Sequence, residues 1–373
     1  MNLIAEIGTT HAGSLDHARR LLDEVATAGF DCAKFQWVIA SELLHPNTGD
    51  VELPGSRVDL FNRFRELERD KQFYAEIKRE CESRGLLFLC TVFGPKSLND
   101  LLDLTPEAIK IASPELNYVQ LLRAAATSGT PLYVSTGVST LEDIARANEA
   151  LGAQVDVTFL HCVTAYPAPE SEYNLACIEP LSRLTGRDWG VSDHTLDPLA
   201  VPLTAAALGA HSLEKHVTLN REGEGLDDPI ALPPNEFRTM VTAVRELAGE
   251  FEDSTGNAER IAAVSRRLGK DKVNAIMGDG VKRLAPSERD SYGLTNRSLH
   301  AVRDMSAGER LKLEDIAIVR TERNLRPGLD PRHLDVVQDA PLCLAVSAGD
   351  GITWEAVICR ENEESVGLRT RLA

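Results

Sequence analysis

An alternation repeated eight times constrains this chain more than any other feature. Short apolar segments rich in β-branched residues recur: LIAEI (3–7), CAKFQ (32–36), LLFLCT (86–91), AIKIAS (108–113), PLYVST (131–136), VTFLHC (157–162), WGVS (189–192) and HSLEKH (211–216). Between them lie longer amphipathic stretches such as LDHARRLLDEVATAG and LEDIARANEALG, many ending in the glycine that stops a helix. Eight strands alternating with eight helices, the last near 234–249, predict an α/β fold of the (β/α)8 barrel type. An open doubly wound sheet would want a glycine-rich dinucleotide loop after the first strand, and none is there.

A barrel accounts for residues 1–250 of 373. Residues 251–296 are polar and read as a linker. Residues 297–373 read as a small β-rich module with an approximate internal repeat, SAGERLKLEDIAIVR (306–320) and SAGDGITWEAVICR (347–360). A module of that size buries little core and should lean on a larger partner. The long segment 37–70 after the second strand could fold over the barrel mouth.

The net charge of -17 argues against nucleic acid or an anionic membrane as partner. The cysteines number seven, with no CxxC and several inside apolar runs, which predicts buried free thiols in a reducing compartment. The N-terminus does not read as a signal peptide, and no apolar run approaches membrane-spanning length, so a cytoplasmic location is expected.

Strand alternation decides which side chains face the barrel interior. In CAKFQ the apolar face, Ala33 and Phe35, must meet the helices, so Lys34 and Gln36 point inward. Glu6 shares a face with Ile4, Lys110 with Ala112, Ser192 with His194, and Glu214 with His216. These polar residues fall near the C-terminal strand ends, where barrel enzymes build their sites.

Each feature alone has a structural explanation. An inward Lys can be an ion-pair partner, a strand-end His a hydrogen-bonded spacer, and STGVST a helix cap. Their agreement at one rim favours function. Lys34 and Lys110 with Thr91, Ser113 and Ser135 suit a phosphate or carboxylate. His194 and His216 suit an exchangeable Mn²⁺, Fe²⁺ or Zn²⁺ whose shell is completed by water and substrate. Glu6 or Glu115 could serve as general acid or base.

The motifs AEIGTTHAG, AKFQ, FLCTVFG, IKIASPE, STGVSTLEDI, LHCVTAYPAP, VSDHT and ALGAHSLEKHVTL occur in order over residues 3–240. With them the chain resembles the sialic acid synthase family, the N-acetylneuraminate synthases and their legionaminate, pseudaminate and spore-coat polysaccharide relatives. RSLHAVRDMSAGERLKLEDI with RPGLDP resembles the family's C-terminal antifreeze-like (SAF) domain. The resemblance implies a barrel plus SAF domain, in a homodimer whose small domain caps the partner's barrel. It implies condensation of phosphoenolpyruvate with the open-chain aldehyde of a sugar such as N-acetylmannosamine, consuming water and releasing phosphate. Lys34, Thr91, Lys110, Ser113, Ser135 and Ser192 would then bind phosphoenolpyruvate. His194 and His216 would hold Mn²⁺ or Mg²⁺, which polarises the aldehyde. Gln36, Glu115, Tyr166 and Asp227 would hold the sugar, and Glu6 would sit beside the reacting carbons. Arg326 in RPGLDP would close the site, with Arg320 as its rival.

Four motifs depart from the family pattern: TTHAG for INHNG, CTVF for STPF, SPE for SGE and GLDDP for GPD. The phosphoenolpyruvate and metal positions are kept, so the changes bear on the acceptor. The competing readings are a metal-dependent barrel aldolase or isomerase that does not use phosphoenolpyruvate, and a non-catalytic polysaccharide-assembly protein.

Overall fold

The eight apolar segments form eight parallel strands that close on themselves. They are β1 (Asn2–Gly8), β2 (Cys32–Gln36), β3 (Leu87–Thr91), β4 (Ala108–Ile111), β5 (Leu132–Ser135), β6 (Val157–His161), β7 (Asp188–Asp193) and β8 (Ser212–His216). The structure is a computed structural model and describes residues 1–358 apart from 54–55, 224, 252–255 and 323. Each strand pairs with its neighbours in sequence, and β1 pairs with β8 to complete the (β/α)8 barrel.

Register sets the site. Glu6 lies opposite His216 on one side and Lys34 on the other. Gln36 lies opposite Thr91, Thr91 opposite Lys110, and Ser192 opposite Glu214. Below this polar level the interior is plugged by Ile4, Cys32 and Leu89, with Ala108 and Tyr133 against them. The outward residues Ala5, Ile7, Ala33, Phe35, Phe88 and Cys90 join the main core under the helices. The first helix, Leu15–Ala28, shows the local logic. Ser14 caps it by accepting from the His17 amide, Gly29 ends it at φ 88°, and Ala18, Leu21, Leu22 and Val25 bury one stripe.

The segment after β2 carries a hairpin, Asp50–Leu53 with Ser56–Asp59, and a helix, Leu60–Leu67. Its apolar side packs over the barrel mouth as a second cluster, Val38, Leu43, Leu44, Val51, Leu60, Leu67 and Phe93.

The expected linker is more structured than its polarity suggests. Helices Asn257–Leu268 and Lys270–Met277 bury Val264, Val273 and Ile276. They pack on helix Ala200–Ala207, nearly all of whose residues are buried. A helix apolar all round needs cover on its outer face, and these two supply it.

The small domain is built on an antiparallel pair, β9 (Arg297–Ala301) and β10 (Ile316–Arg320), over a core of Leu299, Met305, Leu311, Leu342, Val346 and Ile352. Both Ser-Ala-Gly repeats turn on a left-handed glycine, Gly308 and Gly349, each at φ 90°. The second repeat forms a helical turn, Trp354–Val357, where the first forms a strand; its last residues lie outside the described residues. The domain leans on its own chain's barrel. Asn117 exchanges two hydrogen bonds with the Arg297 backbone, and Asn47 donates to the Ala348 carbonyl.

Cys32, Cys81, Cys90, Cys162 and Cys177 are free and buried, as expected. Cys343 departs from that expectation, because it is disulfide-bonded. Cys359 lies outside the described residues. No described helix is long and apolar enough to cross a membrane.

Candidate active site

A cavity of about 710 Å³ opens at the C-terminal ends of the strands. Its floor is a chain of charges. Lys34 Nζ lies 3.0 Å from Glu214 Oε1 and 3.3 Å from Glu6 Oε2. Glu214 also accepts from Ser192 Oγ at 2.8 Å, and Glu6 from Gln36 Nε2 at 2.7 Å. Lys110 Nζ donates to Ser135 Oγ at 2.6 Å and to the Ile111 carbonyl at 2.9 Å. Thr91 and Ser113 line the same floor, and Ser113 Oγ accepts from the Gly137 amide at 3.0 Å.

Burial and these neighbours split the titration of the two carboxyls. Burial raises Glu6 to about 7, with Lys34 opposing and Glu214 adding to the rise. Glu214 feels the same burial, but Lys34 and Lys110 overcome it and hold the carboxylate at about 2. Burial brings Lys110 down to about 8 against the pull of Glu214. Lys34 is raised, because Glu214 and Glu6 outweigh its burial. A carboxyl near neutrality beside a fixed carboxylate and two ammonium groups can move protons and hold an anion.

His194 and His216 stand at the wall with ring centroids 5.5 Å apart. Burial lowers both to about 3, so both are neutral imidazoles. His194 Nδ1 lies 2.7 Å from the Val163 carbonyl, which can only accept. The proton is therefore on Nδ1, and Nε2, 3.3 Å from Ser192 Oγ, carries the lone pair. His216 Nδ1 is buried without a partner. No group of three His, Cys, Asp or Glu at metal-binding positions occurs among the described residues. The Nε2 lone pair of His194 and the unpartnered, buried Nδ1 of His216 fit as donors to a divalent ion whose shell water and substrate oxygens would complete.

The acceptor-side residues frame the mouth. Asp227 accepts from the Thr9 amide and hydroxyl at 3.2 and 3.1 Å, and burial raises its carboxyl. Gly8, at φ 52°, ends β1 beneath it. A Cβ there would stand 2.6 Å from Asp227 Oδ2 and 3.1 Å from Gln36 Nε2, so a glycine lets them converge above Glu6. Tyr166 lies over His194, centroids 4.4 Å apart, and keeps 47% of its surface exposed. Leu43, Val51, Val58, Phe64, Leu226 and Ile230 make the outer wall apolar.

Two predicted residues stand elsewhere. Arg326 is not at the cavity: it is largely exposed, 3.6 Å from Glu355. Arg320, at the end of β10, lines the cavity instead. Glu115 is fully buried behind the wall, and its Oε1 is held at 2.8 Å by both Arg297 and Arg320. Both guanidinium groups thus meet on one oxygen, and the other, Oε2, is buried without a partner. Of the four departing motifs, Pro114 and Leu226 line the cavity. Thr10 turns away, its hydroxyl donating to the Ile7 and Val217 carbonyls.

Sequence reasoning did not select Glu214, the anion between the two lysines, although its place on the His216 face was the available signal. Nor did it select Thr164, which lines the cavity with a buried Oγ without a partner.

The NeuB family matches residues 21–256 and the SAF domain residues 296–358. An uncharacterised protein of Methanocaldococcus jannaschii is 30% identical over 95% of this chain and 94% of its own. The N,N'-diacetyllegionaminic acid synthase of Campylobacter jejuni is 29% identical over 82% of this chain and 86% of its own. The crystal structure of the spore coat polysaccharide biosynthesis protein SpsE of Bacillus subtilis superposes with a TM-score of 0.78, at 27% identity, covering 96% of each chain. With the barrel, the capping module and these matches together, the chain belongs to the NeuB family, that of the sialic acid and related nonulosonic acid synthases.

Proposed function

We propose that the chain condenses phosphoenolpyruvate with the open-chain aldehyde of a sugar, giving a nonulosonic 2-keto acid and inorganic phosphate. The observation that carries this reading is the joining, in one cavity, of the Lys34–Glu214 ion pair and Lys110 to a pair of neutral imidazoles. Buried hydroxyls support it. Thr91 Oγ1 and Thr164 Oγ1 have no partner, and an unmade bond there costs roughly 1–3 kcal/mol unless a ligand supplies one.

Lys34, Lys110, Thr91, Ser113, Ser135 and Ser192 would hold the phosphate and carboxylate. The enol carbon then attacks the aldehyde carbon. Water adds at the former enol carbon, and phosphate leaves by cleavage of the carbon–oxygen bond at that centre. The lysines stabilise the charge that departs. Glu6, near neutrality, suits the proton transfers that accompany water addition. A divalent ion on His194 and His216, Mn²⁺ or Mg²⁺, would supply Lewis-acid polarisation of the aldehyde oxygen. Gln36, Tyr166 and Asp227 would bind the acceptor, whose acyl or deoxy positions suit the apolar outer wall. Arg320 would close the site in place of Arg326, and the cap would exclude competing water. A homodimer in which small domains are exchanged, working in the cytoplasm, belongs to the same proposal.

The test is phosphate release from phosphoenolpyruvate by protein supplied with Mn²⁺, across a panel of N-acylated and deoxy aldoses. Release that depends on one of them is the expected result. No release with any of them would sink the reading.

A further inference from the structure

The stretch between the second packing helix and β9 carries a buried carboxylate that the reaction above does not use. Glu288 is 1% exposed. Its Oε1 accepts from the Val138 amide at 2.6 Å and from the Thr164 amide at 2.7 Å, and its Oε2 from the Ala285 amide at 3.0 Å. Val138 follows β5 and Thr164 follows β6. One oxygen therefore joins the loops of two adjacent barrel strands.

Those loops need holding. Val138 sits at φ 43°, a left-handed conformation that is a genuine outlier for a β-branched residue. Strain of this kind persists only where surroundings over-determine it. Here Glu288 takes the Val138 amide, Asn296 donates to the Val138 carbonyl at 3.2 Å, and Lys282 donates to the Thr136 carbonyl at 3.2 Å. All three come from the same stretch. The loops also touch closely: a Cβ on Gly137 would stand 2.1 Å from Thr164 Oγ1 and 3.0 Å from Ser113 Oγ. The Gly137 amide donates to Ser113 Oγ, so the loop conformation sets where that hydroxyl points.

We propose that Glu288 is a positioning residue for the anion cradle. Its carboxylate sets the β5 and β6 loops at the separation at which Ser113, Ser135 and Thr164 converge on one bound anionic group. The clasp makes the stretch before the small domain part of the site, because the cradle holds its shape only while that stretch is docked. The inference rests on the reading of this floor as the phosphoenolpyruvate site, and its test has one readout that does not.

Full-length Glu288→Ala and Glu288→Gln proteins are compared with the wild type by hydrogen exchange at the Val138 and Thr164 amides and by steady-state kinetics. In Glu288→Ala both amides exchange faster. The KM for phosphoenolpyruvate rises roughly 10-fold or more, because small displacements of binding groups are costly, while the acceptor KM holds. Glu288→Gln loses the contact with the Ala285 amide but keeps one acceptor oxygen for the Val138 and Thr164 amides, and should keep both protected with a KM closer to wild type than in Glu288→Ala. Wild-type exchange at either amide in Glu288→Ala overturns the proposal, as does a loss spread equally over both substrates. If Glu288→Ala does not fold, Glu288→Asp, which draws the carboxylate back by about 1.5 Å, must show the same one-sided rise in KM, and its absence overturns the proposal. If the wild type releases no phosphate from phosphoenolpyruvate, the reading of the site falls, and the exchange data alone decide whether Glu288 sets the loops.

Discussion

Arg297 and Arg320 lie directly opposite each other in the small domain's two-stranded sheet, and both donate to the same oxygen, Glu115 Oε1, at 2.8 Å. Like charges opposite one another on a sheet repel. The barrel's carboxylate between them turns that repulsion into a joint. Arg297 is fully buried, bonded also to the Phe93 carbonyl at 3.0 Å, and anchors the domain. Arg320 reaches the cavity. Two guanidinium groups on one carboxylate leave one positive charge for an anionic ligand.

Arg320→Ala should therefore lower kcat/KM by roughly 100-fold or more, the usual cost of removing a charged donor from a reacting anion. Arg326→Ala should stay near wild type, since that side chain meets Glu355 and Thr353 at the surface. Steady-state kinetics of both variants decide it. A loss in Arg326→Ala alone would return the closing role to RPGLDP.

The same joint tests the exchanged dimer. In this structure the small domain caps its own barrel; in an exchanged dimer, one chain's Arg320 would serve the partner's Lys110. Lys110→Ala and Arg320→Ala proteins are each expected to be nearly inactive. Unfolding and refolding them together should regenerate activity if domains are exchanged, because one site of each mixed dimer then holds both native residues. Without exchange, every site carries one lesion and the mixture stays inactive.

Much of this was legible in the sequence, for a definite reason. Inward and outward residues alternate along a strand, so the faces of CAKFQ and HSLEKH could be assigned before any contact was known. What was not legible depended on pairing between distant segments. That Arg320 and not Arg326 lines the cavity depends on how the small domain docks on the barrel, through Glu115 among others, and the local pattern of RPGLDP carries no trace of that docking. The pairing of Glu115 with Arg297 and Arg320 was not legible because those two partners lie far along the chain. The supposed linker is polar because each of its helices buries only one or two side chains, Val264 or Val273 and Ile276. The better signal was on the other side of that contact. AVPLTAAA is apolar on every face, and such a helix must be covered twice.

His216→Ala should abolish metal-dependent turnover, a fall of roughly 100-fold or more if Lewis-acid assistance is worth several kcal/mol. Fold should survive, because His216 Nδ1 has no protein partner and the ring faces the cavity. Calorimetric titration with Mn²⁺ and a circular dichroism melt separate the two effects. Unchanged Mn²⁺ affinity in a folded variant would remove His216 from the metal site.

Glu6 gives a prediction in stability as well as rate. Its folded value of about 7 lies above the ordinary 4.5, so the folded state holds this proton more tightly than the unfolded state does. The resulting contribution is fully present below pH 4.5, declines between 4.5 and 7, and is lost above 7. A rise from 4.5 to about 7 corresponds to about 3 kcal/mol. Glu6→Gln imitates the protonated form and cannot ionise. Its melting temperature relative to wild type should therefore increase between pH 5 and pH 7 and level off above, whereas loss of a permanently ionised pair with Lys34 would lower it by the same amount across that range. The variant should also lose any limb of the kcat/KM profile that turns near pH 7. A melting difference that stays constant between pH 5 and pH 9 would mean that Lys34 holds Glu6 ionised throughout, and the proton transfers would then need another residue.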